Sequence, residues 1–145
     1  MPGAADPLTL AAVDAYGVIQ RVLRRDARFQ HEFRALCREL PGRVQAGGLV
    51  TALVDLAGRG ARDRRPTERA AGLLLESLCC WLGRERGPFV KREPGPDGQS
   101  PYLSPELFVV EEAIDAELEY IDHAEEDAQR FLRWLKRLAE VELGR

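Results

Sequence analysis

LPGRVQAGGLVTAL, residues 40–53, divides two readings of the whole chain. Its apolar residues keep a helical spacing, yet Pro41, Gly47 and Gly48 all weaken helices. One reading is a phosphate-cradling loop of the kind that opens a nucleotide-binding α/β unit. Such a loop needs a lysine and a Ser or Thr after its last glycine, and a strand before it. Here Leu49 and Val50 follow the glycines, while Phe29, Phe33, Leu36 and Leu40 precede them at helical spacings of four, three and four. The stretch therefore belongs to helix. Pro41 lacks an amide proton and disfavours helical geometry at Leu40, so a kink or restart is expected there. A further helix is expected from Pro41 to about Ala57, along Val44, Leu49, Leu53 and Leu56. Glycine costs up to about 1 kcal/mol relative to alanine inside a helix, so the pair at 47 and 48 is expected to permit a bend or a close backbone approach.

Working outward, helical periodicity dominates and strand alternation is almost absent. Leu8, Ala12, Ala15, Ile19, Val22 and Leu23 define a first helix over about 8–24, and Asp26 can cap a second. Beyond the polar loop GRGARDRR, Pro66 sits where a first helical turn accepts proline, and a helix from there should reach Leu82 and stop at Gly83. GPFVKREPGPDGQSP, residues 87–101, is crowded with Gly and Pro and reads as a long excursion within one domain, extending to about 103. Ser104 and Pro105 open an acidic helix expected to run to about Tyr120. Asp122 with Glu125 forms a D-x-x-E capping pattern that would open a last helix ending near Leu143. The expected fold is all-α: a compact bundle of about five to six helices in a single domain spanning residues 1–145.

Composition agrees with a globular chain, at 45% hydrophobic and 31% charged residues. Cys37, Cys79 and Cys80 are odd in number and two are adjacent, which suits neither a disulfide framework nor a metal knuckle. A cytoplasmic protein is expected, with no membrane-spanning or processed segment. The net charge of −3 hides a polarity: residues 1–93 hold 16 basic against 11 acidic residues, whereas residues 94–145 hold 5 against 13. Residues 104–127 alone carry ten Asp or Glu and no Lys or Arg. Such banding suggests separate contact surfaces, although solvated helix faces give the same pattern.

Two motifs are family-specific. LPGRVQAGGLVTALVDL resembles the "Leu-Pro, two residues, aliphatic, then Gly-Leu" signature of the small helical subunit of the Cmr complex, the type III-B CRISPR effector. AEEDAQRFLRWLKRLAE is similar to that family's closing helix, with Trp134-Leu135-Lys136-Arg137 followed by Ala139. RAAGLLLESLCCWLG has the helical character of its central segment. The resemblance implies a compact bundle that stacks along the effector beside repeated backbone subunits and helps to hold guide RNA paired with target RNA. Its implied partners are the other Cmr subunits, neighbouring copies of itself, and guide and target RNA, with no membrane. RNA cleavage in such complexes belongs to the backbone subunits, so no enzymatic activity and no cofactor are expected here.

The residues offer cations for that role. In the last segment Ala128, Phe131, Leu132, Leu135, Leu138 and Ala139 share one arc of a helical wheel, while Arg130, Arg133 and Arg137 lie opposite. Lys136 belongs to the same run. Arg21, Arg25 and Arg28 repeat at four and three residues, Arg59, Arg62, Arg64 and Arg65 decorate a loop, and a bend at Pro41 would project Arg43. Guanidinium groups suit phosphate because their fork bonds two oxygens without reading bases. Solvent coating is the plainer reading for any one of them. Trp81 and Trp134 can stack on bases, but both stand in leucine-rich runs that suit a core or a subunit contact. Phe108, Val109 and Val110 suit burial or a neighbouring subunit.

Catalytic readings lack parts. His31 and His123 have no Cys or His partner at a metal-ligand spacing. Glu111, Glu112, Asp115 and Glu119 can hold a divalent metal in principle, but without Glu-x-x-His a solvated or partner-facing surface accounts for them better. Cys79 and Cys80 stand in LLLESLCCWL, where thiols act as small packing groups. The competing function is a helical adaptor that binds a protein through the acidic helix and apolar patches without touching RNA.

Overall fold

The computed structural model describes residues 7–62, 64–84, 87–89 and 105–143. Six helices account for nearly all of them: α1 (Pro7–Leu23), α2 (Ala27–Gly47), α3 (Leu49–Gly60), α4 (Pro66–Leu82), α5 (Pro105–Asp115) and α6 (Leu118–Glu142). There is no strand among the described residues. The chain is an all-α bundle, as its periodicity predicts. The Gly/Pro-rich excursion lies outside the described residues except for Gly87, Pro88 and Phe89.

α4 is the central helix and touches every other one. It buries Ala70, Ala71, Leu74, Leu75, Leu78, Cys79, Trp81 and Leu82 on a face too broad for a surface helix. Around it α3 and α5 pack on one side and α2 and α6 on another, while α1 lies mainly against α6. Alanines 11 and 15 of α1 and alanines 124, 128 and 139 of α6 are fully buried, and such small side chains allow close helix approach. Phe33, Trp81 and Phe131 supply bulk at the centre, with Trp81 stacked on Phe131 at 5.4 Å between ring centroids.

Several termini follow local chemistry. Asp26 caps α2 by accepting a hydrogen bond from the Phe29 amide at 2.8 Å. Pro66 is the first residue of α4, and the Gly83 amide closes its last turn on the Cys79 carbonyl at 2.9 Å.

The opening stretch lacks the restart expected at Pro41 but has the bend expected at its glycine pair. α2 continues through Pro41 and stops at Gly47, and the chain turns at Gly48, whose φ of +91° is the only positive one among the described glycines. Proline inside a helix costs about 3 kcal/mol through its missing amide and its ring clash. Here Leu40 and Val44, on either side of it, are both buried on the core face of α2. A restart at residue 41 would carry one of them off that face. The Pro41 carbonyl also accepts a hydrogen bond from Gln129 Nε2 at 2.9 Å, which ties this turn to α6. The bend falls to Gly48 because only glycine reaches that backbone region without strain.

A second correction concerns the acidic segment. The helix expected to reach Tyr120 ends at Asp115, and the last helix begins at Leu118 rather than at Asp122. α5 packs on α4 and α3, whereas α6 packs on α1 and α2, so the chain must change direction between them. The D-x-x-E pattern lies inside α6. Asp122 is exposed, and Glu125 reaches out of its own helix to accept a hydrogen bond from the Leu49 amide at 2.8 Å. It thereby caps α3, whose own cap residue, Gly48, has no side chain.

α3 and α4 approach closely at Gly60 and Gly72. A Cβ on Gly60 would lie 2.9 Å from the Gly72 Cα and 3.1 Å from its nitrogen, so main chain would have to move. Gly60→Ala is expected to destabilise by roughly 1–3 kcal/mol, the usual cost of overpacking. Gly17→Ala in α1, where a Cβ meets nothing within 4 Å, should instead stabilise by up to about 1 kcal/mol. Urea midpoints of the two variants should shift in opposite directions; a Gly60→Ala midpoint at or above that of the unaltered protein would refute the close approach.

Candidate nucleic-acid interface

α2 and α6 diverge at the surface and leave an open groove of about 1080 Å³. One wall is the outer face of α2, with Arg38, Pro41, Gly42 and Gln45 spaced by three, one and three residues. The other is α6 from Asp122 to Arg137, a run of about 22 Å at 1.5 Å per residue. The same periodicity that turns Phe131, Leu132 and Leu135 inward turns Arg130, Arg133, Lys136 and Arg137 toward this groove or its rim.

The groove is electrically polarised. Asp122, Glu125 and Glu126 stand at the end near the start of α6, and the cations occupy the rest. Arg133, Lys136 and Arg137 are exposed and have no carboxylate partner among the described residues. Arg38 pairs with Glu140 at 3.6 Å, an exposed contact worth little in water. Arg130 is half-buried and bonds Asp127 at 3.3 Å.

Asp127, outside the groove lining, ties α6 to α4. It is 8% exposed and accepts two hydrogen bonds from Arg84, at 2.7 and 3.1 Å, in the bidentate geometry that guanidinium favours. The Arg84 guanidinium lies 3.5 Å over the Trp81 ring, and Trp81 Nε1 donates to the Asp127 carbonyl at 3.0 Å. α4 and α6 are thus joined by one charged and aromatic network.

The other sequence candidates lie outside the groove. Arg21 reaches Glu76 at 3.5 Å, Arg25 sits 4.1 Å over the Phe29 ring, and Arg28 pairs loosely with Glu32 at 4.0 Å. Arg43 is held by Asp55 at 2.8 Å and Glu39 at 3.1 Å, and Asp55 also takes Arg59 at 3.3 Å. Its charge is largely answered within the protein. Arg62, Arg64 and Arg65 are exposed in the loop between α3 and α4.

Arg38 was not singled out from sequence, although its spacing to Pro41, Gly42 and Gln45 carries the signal. Ending the second helix at Leu40 splits that face in two; a helix continuous through Pro41 joins it. The tryptophans also part company. Trp81 is buried, while Trp134 is half-buried on the groove wall. Phe108 and Val109 are core residues, and Val110 packs against that core.

Of the adjacent thiols only Cys79 is buried; Cys80 is exposed, as neighbouring positions about 100° apart on a helix require. Burial pushes the thiols of Cys37 and Cys79 well above their ordinary value. No group of three or more His, Cys, Asp or Glu among the described residues is arranged to hold a metal ion. Nor is any described helix long and apolar enough to cross a membrane.

Strand-free among the described residues, with a cationic groove between two long helices, the chain is of the all-helical class and not a nucleotide-binding α/β protein. The comparison with known families narrows the class to one. The model of the CRISPR-associated protein (Cas_Cmr5) family matches residues 10–142, and the chain belongs to that family, the small subunits of the type III-B Cmr complex. None of the curated proteins matches it.

Proposed function

We propose that this Cmr subunit is a noncatalytic, cytoplasmic component that supports assembly of the ribonucleoprotein and holds guide and target RNA through its α2/α6 groove. The observation that carries this reading is the set of three unanswered cations, Arg133, Lys136 and Arg137, along one side of an open groove. Cations so placed follow a phosphate backbone without reading its sequence. The noncatalytic part is favoured by the thiols: two are buried with raised pKa values, and thiolate is the reactive form.

A protein-facing role has its own support. Leu10, Val13 and Tyr16 are exposed on α1, and Leu107 and Ile114 are exposed on the acidic α5. These surfaces suit other Cmr subunits or neighbouring copies, and serve alongside the groove or, in the adaptor reading, without it.

Purification of the tagged protein from its native host separates the two. Guide RNA together with backbone subunits is the expected recovery. Protein partners without guide RNA would replace the RNA-holding role with the adaptor.

A further inference from the structure

Trp134 stands apart from the rest of the hydrophobic inventory. Its neighbours Phe131, Leu132 and Leu135 are within 1% of complete burial, yet Trp134 is half-buried and forms part of the groove wall. Trp81 provides the internal comparison. Its ring lies between Phe131 and Arg84, and its indole N–H is bonded to the Asp127 carbonyl, so every part of it is engaged. The Trp134 indole N–H has no hydrogen-bond acceptor among the described residues. Arg137 lies over the ring at 5.4 Å, well beyond the 3.5 Å at which Arg84 covers Trp81.

Resting on the RNA-holding reading of the groove, we propose that Trp134 is a stacking platform for an unpaired base, so that the groove engages the guide or the target strand where that strand is single. An aromatic face among cations is the arrangement by which proteins hold single strands: bases stack on the ring, and phosphates meet the charges around it. Arg133 precedes the ring by one residue, Arg137 follows by three, and Arg38 stands on the opposite wall. A base between two planes needs about 7 Å, twice the ~3.5 Å contact distance of carbon atoms. Arg137 at 5.4 Å therefore has to swing outward by less than 2 Å to enclose one. It is exposed and has no carboxylate among the described residues to hold it back. The free indole N–H is left to donate to a base or phosphate oxygen. A paired base in a duplex presents only its edge to the groove and would leave the ring face unused.

The two tryptophans make the test simple. The full chain is titrated at low salt against a single-stranded oligouridylate, following tryptophan emission and, separately, the anisotropy of the labelled oligomer. Saturable quenching is expected in the unaltered protein, from Trp134, while enclosed Trp81 stays silent. Trp134→Leu should abolish the quenching and weaken binding roughly tenfold, within the range of one stacked base. Trp134→Phe should restore most of the affinity without the quenching. Equal-length duplex RNA should quench little, and its affinity should not respond to either substitution. Binding by anisotropy that Trp134→Leu leaves unchanged would overturn the platform and leave the cationic groove standing. Absence of any anisotropy change would also overturn it, while guide-RNA recovery from the host decides the RNA-holding role independently.

Discussion

Asp127→Ala is expected to remove about 3 kcal/mol of stability, toward the lower end of the 3–5 kcal/mol typical when one partner of a buried ion pair is deleted. The Asp127 side chain is 11% exposed and answers both Arg84 and Arg130. Without it, the Arg84 guanidinium is left over the Trp81 ring with no ion-pair partner and only the field of Asp14 to answer it. The Arg84 side chain is 22% exposed, so water recovers part of the loss, and the cost should not reach the top of that range. Trp81 keeps its bond because the acceptor is the backbone carbonyl of residue 127. A domain with a total stability of 5–15 kcal/mol survives this, with a much lower urea midpoint and an unchanged slope. Asp127→Leu combined with Arg84→Met should recover most of the deficit, because neither enclosed position then carries an unpaired charge, and Arg130, whose side chain is 36% exposed, turns to water. A loss below about 1 kcal/mol in the single variant would show that the pair behaves as a surface contact.

The second large effect is on RNA affinity. Reversing Arg133, Lys136 and Arg137 to glutamate should lower affinity for single-stranded RNA by two orders of magnitude or more at low salt. Replacing the three with alanine should reduce the slope of log affinity against log salt by about 2, at roughly 0.7 for each single-strand phosphate contact. All three side chains are exposed, so stability should change by less than about 0.5 kcal/mol each. Arg43→Ala is the contrast: with Asp55 and Glu39 already on its guanidinium, it should leave the slope nearly unchanged. A slope unaltered by the alanine triple would remove the groove from RNA binding.

Much of the fold is legible in the residues, because caps and stops are local. Asp26 with Phe29, Pro66 at the start of α4 and Gly83 at its end act through bonds within a turn or two. What is not legible depends on tertiary contact. Pro41 carries a local signal to stop, and the burial of Leu40 and Val44 on one face overrides it. The division between α5 and α6 falls in AIDAELEY, where no Gly or Pro marks the change of direction. Glu125 looks like half of a capping box because its actual partner, the Leu49 amide, is 76 residues away. The groove follows the same rule. Its α6 wall is visible as a cationic stripe, whereas Arg38 joins it only when α2 is followed through the proline.

The pairing of α1 with α6 also sets a timetable for folding. The last residue of α1 and the last of α6 are separated by about 120 residues, which at ~5–20 residues per second takes on the order of ten seconds of synthesis. For that interval the face bearing Ala11, Ala15 and Ile19 has no α6 to cover it, and α1 touches the other helices only lightly. α2, α3 and α4 can associate while the ribosome is still working; the first helix to emerge is among the last to find its place.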